Sequence, residues 1–188
     1  MNWDLPTFVK SNDTIYPITN DCDYRVVLDV FCALNDDNLS KEEKIIVSLL
    51  IFYKDLTLEN MQQCKDIEFL AEEMFRIISG GKIEQPKSKR PPIMDWEHDF
   101  SQIAPPISRV LGYDIRTPKK FTHYYTFLGG YQEIGECSFA TIVSIRNKKQ
   151  KGKKLEKWEQ EFYNEHKEMV DLPRKLTIEE QEFLNSDW

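Results

Sequence analysis

The side chains with which this 188-residue sequence could do chemistry are three histidines, four cysteines and 32 acidic residues. His98 stands in Trp96-Glu97-His98-Asp99, a run of metal-capable groups. Adjacent helix residues do not face one another, however, and no H-E-x-x-H spacing accompanies it. Cys22, Cys32, Cys64 and Cys137 are scattered without a C-x-x-C pair. In a reducing compartment such cysteines behave as small buried hydrophobes. Cys137 and His123 are a generic thiol–imidazole combination with no local signature of nucleophilic catalysis. There is no G-x-S-x-G elbow, no G-x-G-x-x-G and no phosphate-cradling G-x-x-x-x-G-K-[ST]. The glycine pairs Gly80-Gly81 and Gly129-Gly130 read as helix ends. The expectation is a protein that is not an enzyme, with no catalytic residue, metal or cofactor.

Binding chemistry is more pointed. Arg146, Lys148, Lys149, Lys151, Lys153, Lys154 and Lys157 form a basic run with Glu156 as its only acid. Such a run suits a nucleic-acid backbone or an acidic partner, and otherwise a solvated loop between helices. The carboxylates of Glu179, Glu180, Glu182 and Asp187 could neutralise it, within the chain or between subunits. Phe121, Tyr124, Tyr125 and Phe127 are dense beside His123. They could stack on bases, but Phe121, Tyr125 and Leu128 already make a helical stripe of the kind that packs a core. Phe183, Leu184 and Trp188 lie beyond Pro173 on a segment too short to bury them, so they dock on the body or on a neighbour. The candidate partner contacts are therefore Phe121, Tyr125, Lys148, Lys149, Lys151, Lys153, Lys154, Phe183, Leu184 and Trp188.

Positioning these groups falls to helices. Apolar residues are 40% and charged residues 30%, a globular composition that can bury roughly 70% of the unfolded chain's surface at this size. A net charge of -7 opposes a general nucleic-acid coat. No apolar run is long enough to span a bilayer, and MNWDLPTFVK is not a signal peptide, so a cytoplasmic address is expected. Residues 1–21 read as an irregular or strand-like arm with an extended piece at 13–18. Apolar spacing predicts a helix over 22–36, capped by Asp21 or Asp23. Ser40 and Glu43 form a capping box ahead of IIVSLLIFY, which reads as the most buried helix. Thr57 opens a sustained three/four spacing from Leu58 to Ile78, closed by Gly80-Gly81. The segment QPKSKRPP, 85–92, reads as a linker. Beyond it, Asp95 caps a helix that Pro105-Pro106 must interrupt, with a second piece running from Ile107 to Leu111. Further stripes are Phe121–Leu128 stopped by the glycines, Phe139-Ile142-Val143-Arg146, and Leu155-Trp158-Phe162-His166-Met169. Thr177 to Glu180 is a last capping box. The fold class is all-α: about eight helices in an N-terminal half (1–84) and a C-terminal half (93–171), with the linker 85–92 and a tail 172–188.

Several phrases, in order, carry a resemblance. Tyr16–Val26 (YPITNDCDYRV) is similar to an opening signature in which I-N-T-D-F-R leads into the first helix. Leu39-Ser-Lys-Glu-Glu-Lys-Ile follows; Asp99-Phe100 leads to Leu111-Gly-Tyr-Asp-Ile115, which looks like Y-G-I-D-L. His123-Tyr-Tyr-Thr-Phe-Leu128 looks like H-W-W-x-F, Phe139 to Arg146-Asn147 like a helix ending Y-R, and Glu159-x-Glu-Phe-Tyr163 like R-E-F-Y. Over roughly 15–170 the chain resembles the bacteriophage gene-product-fifteen family of siphophages and prophages. It departs from the pattern at Tyr124-Tyr125, which replaces a tryptophan pair, and at Pro105-Pro106, where the family keeps a continuous helix. The resemblance implies a role in tail morphogenesis, because such genes lie just upstream of the tape-measure gene, where long-tailed phages encode tail assembly chaperones. The implied partners are the tape measure protein and the tail tube protein, with a homo-oligomer as a further possibility. Neither a membrane nor nucleic acid is an expected partner. The implied place is the host cytoplasm during assembly, not the mature virion. The alternatives are a connector retained at the head–tail joint and a nucleic-acid-binding accessory protein using 146–157.

Overall fold

The structure, a computed structural model, describes residues 4–81 and 92–173. The expected linker up to residue 91, the capping box at Thr177 and the side chains of Phe183, Leu184 and Trp188 lie outside the described residues. Two compact units emerge: unit 1 is Met1–Arg90 with Ala104–Ile134, and unit 2 is Pro91–Ile103 with Gly135–Trp188. The division thus falls twice in the chain after the Pro/Lys-rich segment, at 103/104 and 134/135, whereas the sequence suggested contiguous halves on either side of 85–92. The architecture is mostly α: nine helices among the described residues, close to the eight expected, and one two-stranded sheet.

Unit 1 begins with the strand-like arm. Strands β1 (Phe8–Ser11) and β2 (Thr14–Pro17) pair antiparallel, with Ser11 opposite Thr14, so Asn12 and Asp13 form the loop. Asn12 sits at φ 50, a left-handed conformation that asparagine tolerates better than most residues. The hairpin is tied to the body where the Lys54 N–H donates to Pro17 O at 3.0 Å. Next come three successive left-handed residues, Asn20, Asp21 and Cys22, at φ 46, 52 and 64. They turn the chain into α1 (Tyr24–Asn35), whose N-cap is Asp23. The three/four spacing outweighs the strand preference of its valines: Val26, Val27 and Val30 are all buried.

Helix α2 (Lys41–Phe52) starts with the expected Ser40/Glu43 capping box. It is not the most buried helix, as its composition suggested. Ser48, Leu49 and Phe52 are buried, while Ile45 and Ile46 are 38% and 36% exposed. An unbroken apolar run encircles a helix, and only the face that meets a neighbour is covered. The expected long helix from Leu58 is also corrected. It is two, α3 (Leu58–Met61) and α4 (Ile67–Ile78). The Thr57/Asn60 box closes a single turn, the amides of Gln63 and Cys64 tighten to i−3 acceptors, and the Tyr16 hydroxyl holds Asp66 Oδ2 at 2.9 Å. Gly80 and Gly81, both at φ 75, end α4 as a left-handed cap.

Helix α5 (Trp96–Leu111) runs without interruption through Pro105 and Pro106, against expectation. Two prolines remove two amide donors, a loss on the order of 3 kcal/mol each in an exposed helix. Here Ile103, Ala104 and Ile107 are fully buried, and packing on both sides of the prolines outweighs the missing bonds. Helix α6 (Tyr124–Gln132) likewise passes through Gly129-Gly130 instead of stopping there. Neither glycine has positive φ, and Gly130 serves a close approach: a Cβ there would lie 3.1 Å from Ile107 Cγ2 and 3.2 Å from Leu111 Cγ. Phe121 precedes the helix rather than starting its stripe.

Unit 2 adds α7 (Ser138–Gln150), α8 (Lys157–Glu165) and α9 (Lys167–Val170). The single helix expected through Met169 is broken at His166, whose backbone sits at φ -125, ψ 35. The His166 carbonyl accepts from both Met169 and Val170 and so starts α9. That turn delivers Val170 into a cluster with Ile142 and Ile145, against which Leu155, Phe162, Tyr163 and Met169 pack. No helix among the described residues is long and apolar enough to cross a membrane.

Candidate partner-binding site

In unit 1 a buried polar knot sets where the aromatics point. Asp23 accepts the Arg25 backbone N–H through Oδ1 and the Thr122 N–H through Oδ2, both at 3.0 Å. The Tyr24 N–H donates back to Thr122 O at 2.9 Å. The Arg25 guanidinium donates to the carbonyls of Ile115 at 2.7 Å, Lys120 at 3.1 Å and Thr117 at 3.3 Å. Its rigid fork of donors is what lets one side chain gather a whole loop. His123 caps α6: its Nδ1 accepts the Tyr125 N–H at 3.0 Å, which leaves the hydrogen on Nε2 to donate to Pro6 O at 3.0 Å. Two phrases of the resemblance, Asp23-Tyr24-Arg25 and His123-Tyr124-Tyr125, therefore meet in space.

Around the knot the aromatics are core. Tyr24 stacks on Phe127 at 4.5 Å between centroids, and the Tyr124 hydroxyl donates to Ile78 O at 2.7 Å. Burial pushes the Tyr53 and Tyr124 phenols well above their ordinary range. Burial, with the Asp23 charge beside it, pushes the Cys22 thiol up to about 12, which leaves it inert as a nucleophile. Of the two expected aromatic contacts, Phe121 is 53% exposed and Tyr125 is half-buried, its ring edge-on to His123.

The sequence reading passed over a second exposed apolar group. Phe8 (53% exposed) and Ile15 (57% exposed) share the outer face of the hairpin, since Phe8 pairs with Pro17 and Lys10 with Ile15. Strand alternation was the signal that could have found them. Beside them lies a recess of about 320 Å³ lined by Ile15, Tyr16, Tyr53, Leu56, Asn60 and Cys64, among others. Its polar lining includes Thr14, Asp55, Asn60 and Gln63, and the hydroxyl of Tyr16 meets Cys64 Sγ at 3.6 Å.

In unit 2 the basic run divides. Arg146 is buried and uses every guanidinium hydrogen: two bonds to Asp99 at 2.7 and 2.8 Å, and others to the carbonyls of Val170, Met169 and Ile93. Lys148 holds both oxygens of Glu159 at 2.7 Å. That hydrogen bond raises the lysine's pKa and lowers the carboxyl's. Lys149 holds Asp171 at 2.6 Å with its ammonium 3.7 Å from the centre of the Tyr163 ring. Burial works against the charged forms of both partners, but their mutual attraction outweighs it, raising Lys149 and lowering Asp171. Lys151, Lys153 and Lys154 are exposed and without an ion pair among the described residues. No group of three or more His, Cys, Asp or Glu side chains suited to a metal occurs among the described residues.

The arrangement is that of a small, mostly α-helical protein in which Asp23, His123, Asp99, Arg146 and Glu159 are committed to structural hydrogen bonds while Phe8, Ile15, Phe121 and the lysines 151, 153 and 154 are exposed. The sequence pattern of the bacteriophage Gp15 protein family matches residues 1–172, and the chain belongs to that family. Membership points to a structural or morphogenetic role in a bacteriophage. No curated protein and no solved structure matches the chain.

Proposed function

We propose that this protein is a tail morphogenesis factor: a tail assembly chaperone that binds the tape measure protein and helps recruit tail tube subunits, acting in the host cytoplasm without catalysis. The reading rests on the family and on one observation. Large apolar side chains of unit 1 stand exposed: Phe8 and Ile15 on the hairpin and Phe121 ahead of α6 are each more than half exposed. Apolar groups that share a face, as Phe8 and Ile15 do, mark contact sites. A long helical chain with uncovered apolar stripes is the partner such side chains suit, and many weak contacts along one chain gain by multivalency. Lys151, Lys153 and Lys154, exposed on unit 2, are a separate charged contact in the same reading. A nucleic-acid role is less favoured, because Arg146, Lys148 and Lys149 already hold carboxylates of their own unit.

The test is co-expression with the tape measure product, then size exclusion with light scattering. Co-elution with a solubilised tape measure chain, lost in Phe121→Asp, supports the chaperone. A free protein beside a precipitated tape measure chain sinks it. Stoichiometric presence of this chain in purified particles would identify a retained connector instead.

A further inference from the structure

Helix α2 is apolar on two faces, and its own unit covers one of them. Ser48, Leu49 and Phe52 are buried on the inner face. At about 3.6 residues per turn, Glu43, Ile46, Val47 and Leu50 fall on the opposite side. Their i, i+3, i+4, i+7 spacing is that of a seam between packed helices. Ile46 is 36% exposed, and Val47 and Leu50 are only half-buried. The run IIVSLLIFY therefore carries more apolar surface than one chain buries.

Charge marks the two ends of this seam. Glu43, with Glu42 before it, stands at the N-terminal end, and Lys54 stands two positions past the C-terminal end. All three are exposed, and none has an ion pair among the described residues. The Ser40 N–H donates to Glu43 Oε2 at 2.8 Å, which leaves Oε1 for a partner. The Lys54 N–H donates to Pro17 O at 3.0 Å, which fixes the backbone from which the ammonium extends. Within one chain the opposite charges are too far apart to meet, since α2 between them rises on the order of 16 Å at about 1.5 Å per residue. A second copy of the helix, laid antiparallel about a two-fold axis level with the Ser48–Leu49 peptide, brings them together. That one register sets Glu43 opposite Lys54 of the second copy and Val47 opposite Leu50 of the second copy, and the axis repeats both pairs. It also opposes the two helix dipoles, which is favourable.

We infer that the outer face of α2 is a self-association surface, on which two copies of the protein pack α2 antiparallel through Ile46, Val47 and Leu50, with Glu42 and Glu43 of each facing Lys54 of the other. One helix a side is a small contact, so the dimer is weak and reversible. The surface is separate from the side chains offered to the tape measure protein, and the inference stands or falls on this chain alone.

The experiment uses the full chain. Sedimentation equilibrium from micromolar to millimolar concentration is expected to show a monomer–dimer equilibrium. Ile46→Glu weakens the dimer at least tenfold at low and high salt alike. Lys54→Glu sets carboxylate against carboxylate and weakens it at least tenfold at low salt, an effect that fades near 1 M salt, where the screening length is about 3 Å. Both side chains are exposed, so the fold is not at risk, and an unchanged helical circular dichroism melt verifies this. The register is read by mixing equal amounts of ¹⁴N- and ¹⁵N-labelled wild type and joining them with a zero-length carbodiimide, which links only touching lysine and carboxylate groups. The expected product joins Glu42 or Glu43 to Lys54, with mixed-label pairs as abundant as single-label ones. A monomer throughout the concentration range overturns the inference, and loss of tape measure binding in Ile46→Glu would then give the seam to that partner. A dimer that neither variant weakens, or one without mixed-label links from 42–43 to 54, overturns it as well.

Discussion

In unit 1 the largest fully buried side chains are Tyr24, Tyr53, Tyr124, Phe52 and Phe127, and the polar ends of the three tyrosines rest on backbone carbonyls. In unit 2 the apolar centre is Ile142, Ile145 and Val170, and a guanidinium–carboxylate pair is buried in the same unit, Arg146 at 7% and Asp99 at 1% side-chain exposure. Aromatic burial stabilises with little dependence on ionic conditions. A buried ion pair contributes little net stability, yet it is costly to break, because the survivor is left charged and unpaired. Both units bury aromatic rings, Phe139 among them in unit 2, but only unit 2 among the described residues buries both partners of an ion pair, whereas Arg25 beside Asp23 in unit 1 is 38% exposed.

The largest expected effects test that contrast directly. Asp99→Ala removes one partner and leaves Arg146 buried with three carbonyls, at a cost of about 3–5 kcal/mol. Removing both charges in Asp99→Leu with Arg146→Met recovers most of the loss. Denaturant titration read by hydrogen exchange in α7 and α9 gives both numbers. If Asp99→Ala costs under 1 kcal/mol, the guanidinium has found water and the contrast fails. Phe127→Ala in unit 1 removes the ring stacked on Tyr24 and costs on the order of 3–5 kcal/mol by transfer and cavity terms. That loss should be the same at low and high salt.

How much of this was legible is uneven, for physical reasons. The Ser40/Glu43 box, the Asp23 cap and the Gly80-Gly81 cap are local hydrogen-bond patterns, and the sequence displays them whole. The breaks at 62–66 and His166 were not legible, since apolar spacing continues across both while tertiary contacts bend the chain. Proline and glycine rules failed at Pro105-Pro106 and Gly129-Gly130 because burial of Ile107 and close packing on Gly130 override local preference. The buried ion pair had a visible trace. Asp99 falls between Trp96 and Ile103 at helical spacing, and Arg146 ends the Phe139-Ile142-Val143 stripe. A charge on each of two apolar faces is a pairing signal, but the basic residues after Arg146 made it look like part of a loop. Exposure of Phe8 follows the alternation of its strand, whereas that of Phe121 is a property of what surrounds it, which no local pattern records.

Acid sharpens the contrast with a smaller effect. Glu159 and Asp171 in unit 2 titrate below their ordinary values of 4.5 and 3.8, Glu159 through its hydrogen bonds to Lys148 and Asp171 through Lys149 and Tyr163 against the opposing pull of burial. In that range the unfolded chain binds more protons than the folded one, so stability rises with pH and is lost on acidification. The contribution is fully present above the ordinary values and is lost as pH drops through the lowered ones. The lowered carboxyls of unit 1, Glu43 beside Ser40 and Asp114 beside Arg116, at about 2 for Asp114, are on its surface. Hydrogen exchange between pH 5 and 2 is expected to show α7–α9 opening before α1 and α6, and earlier still at high salt. Opening of α1 first would reverse the assignment of charge to unit 2.

The smallest effect concerns how unit 1 holds its shape. Asp21 is exposed at φ 52, between Asn20 and Cys22 in the same left-handed region. A Cβ in that region costs roughly 1–2 kcal/mol, less for aspartate, and glycine removes the clash at an entropic cost of about 0.5–1 kcal/mol in the unfolded chain. Asp21→Gly is therefore expected to stabilise by up to about 1 kcal/mol, a rise of a few degrees in Tm. Cys22 is not an equivalent test, because its side chain is fully buried and its removal leaves a cavity. A gain in Asp21→Gly means that the turn is strained and that Asp23, Thr122 and Arg25 hold it in place from outside. A loss above 0.5 kcal/mol means that the aspartate itself makes the turn, and that unit 1 too depends on a charge at the entrance to its first helix.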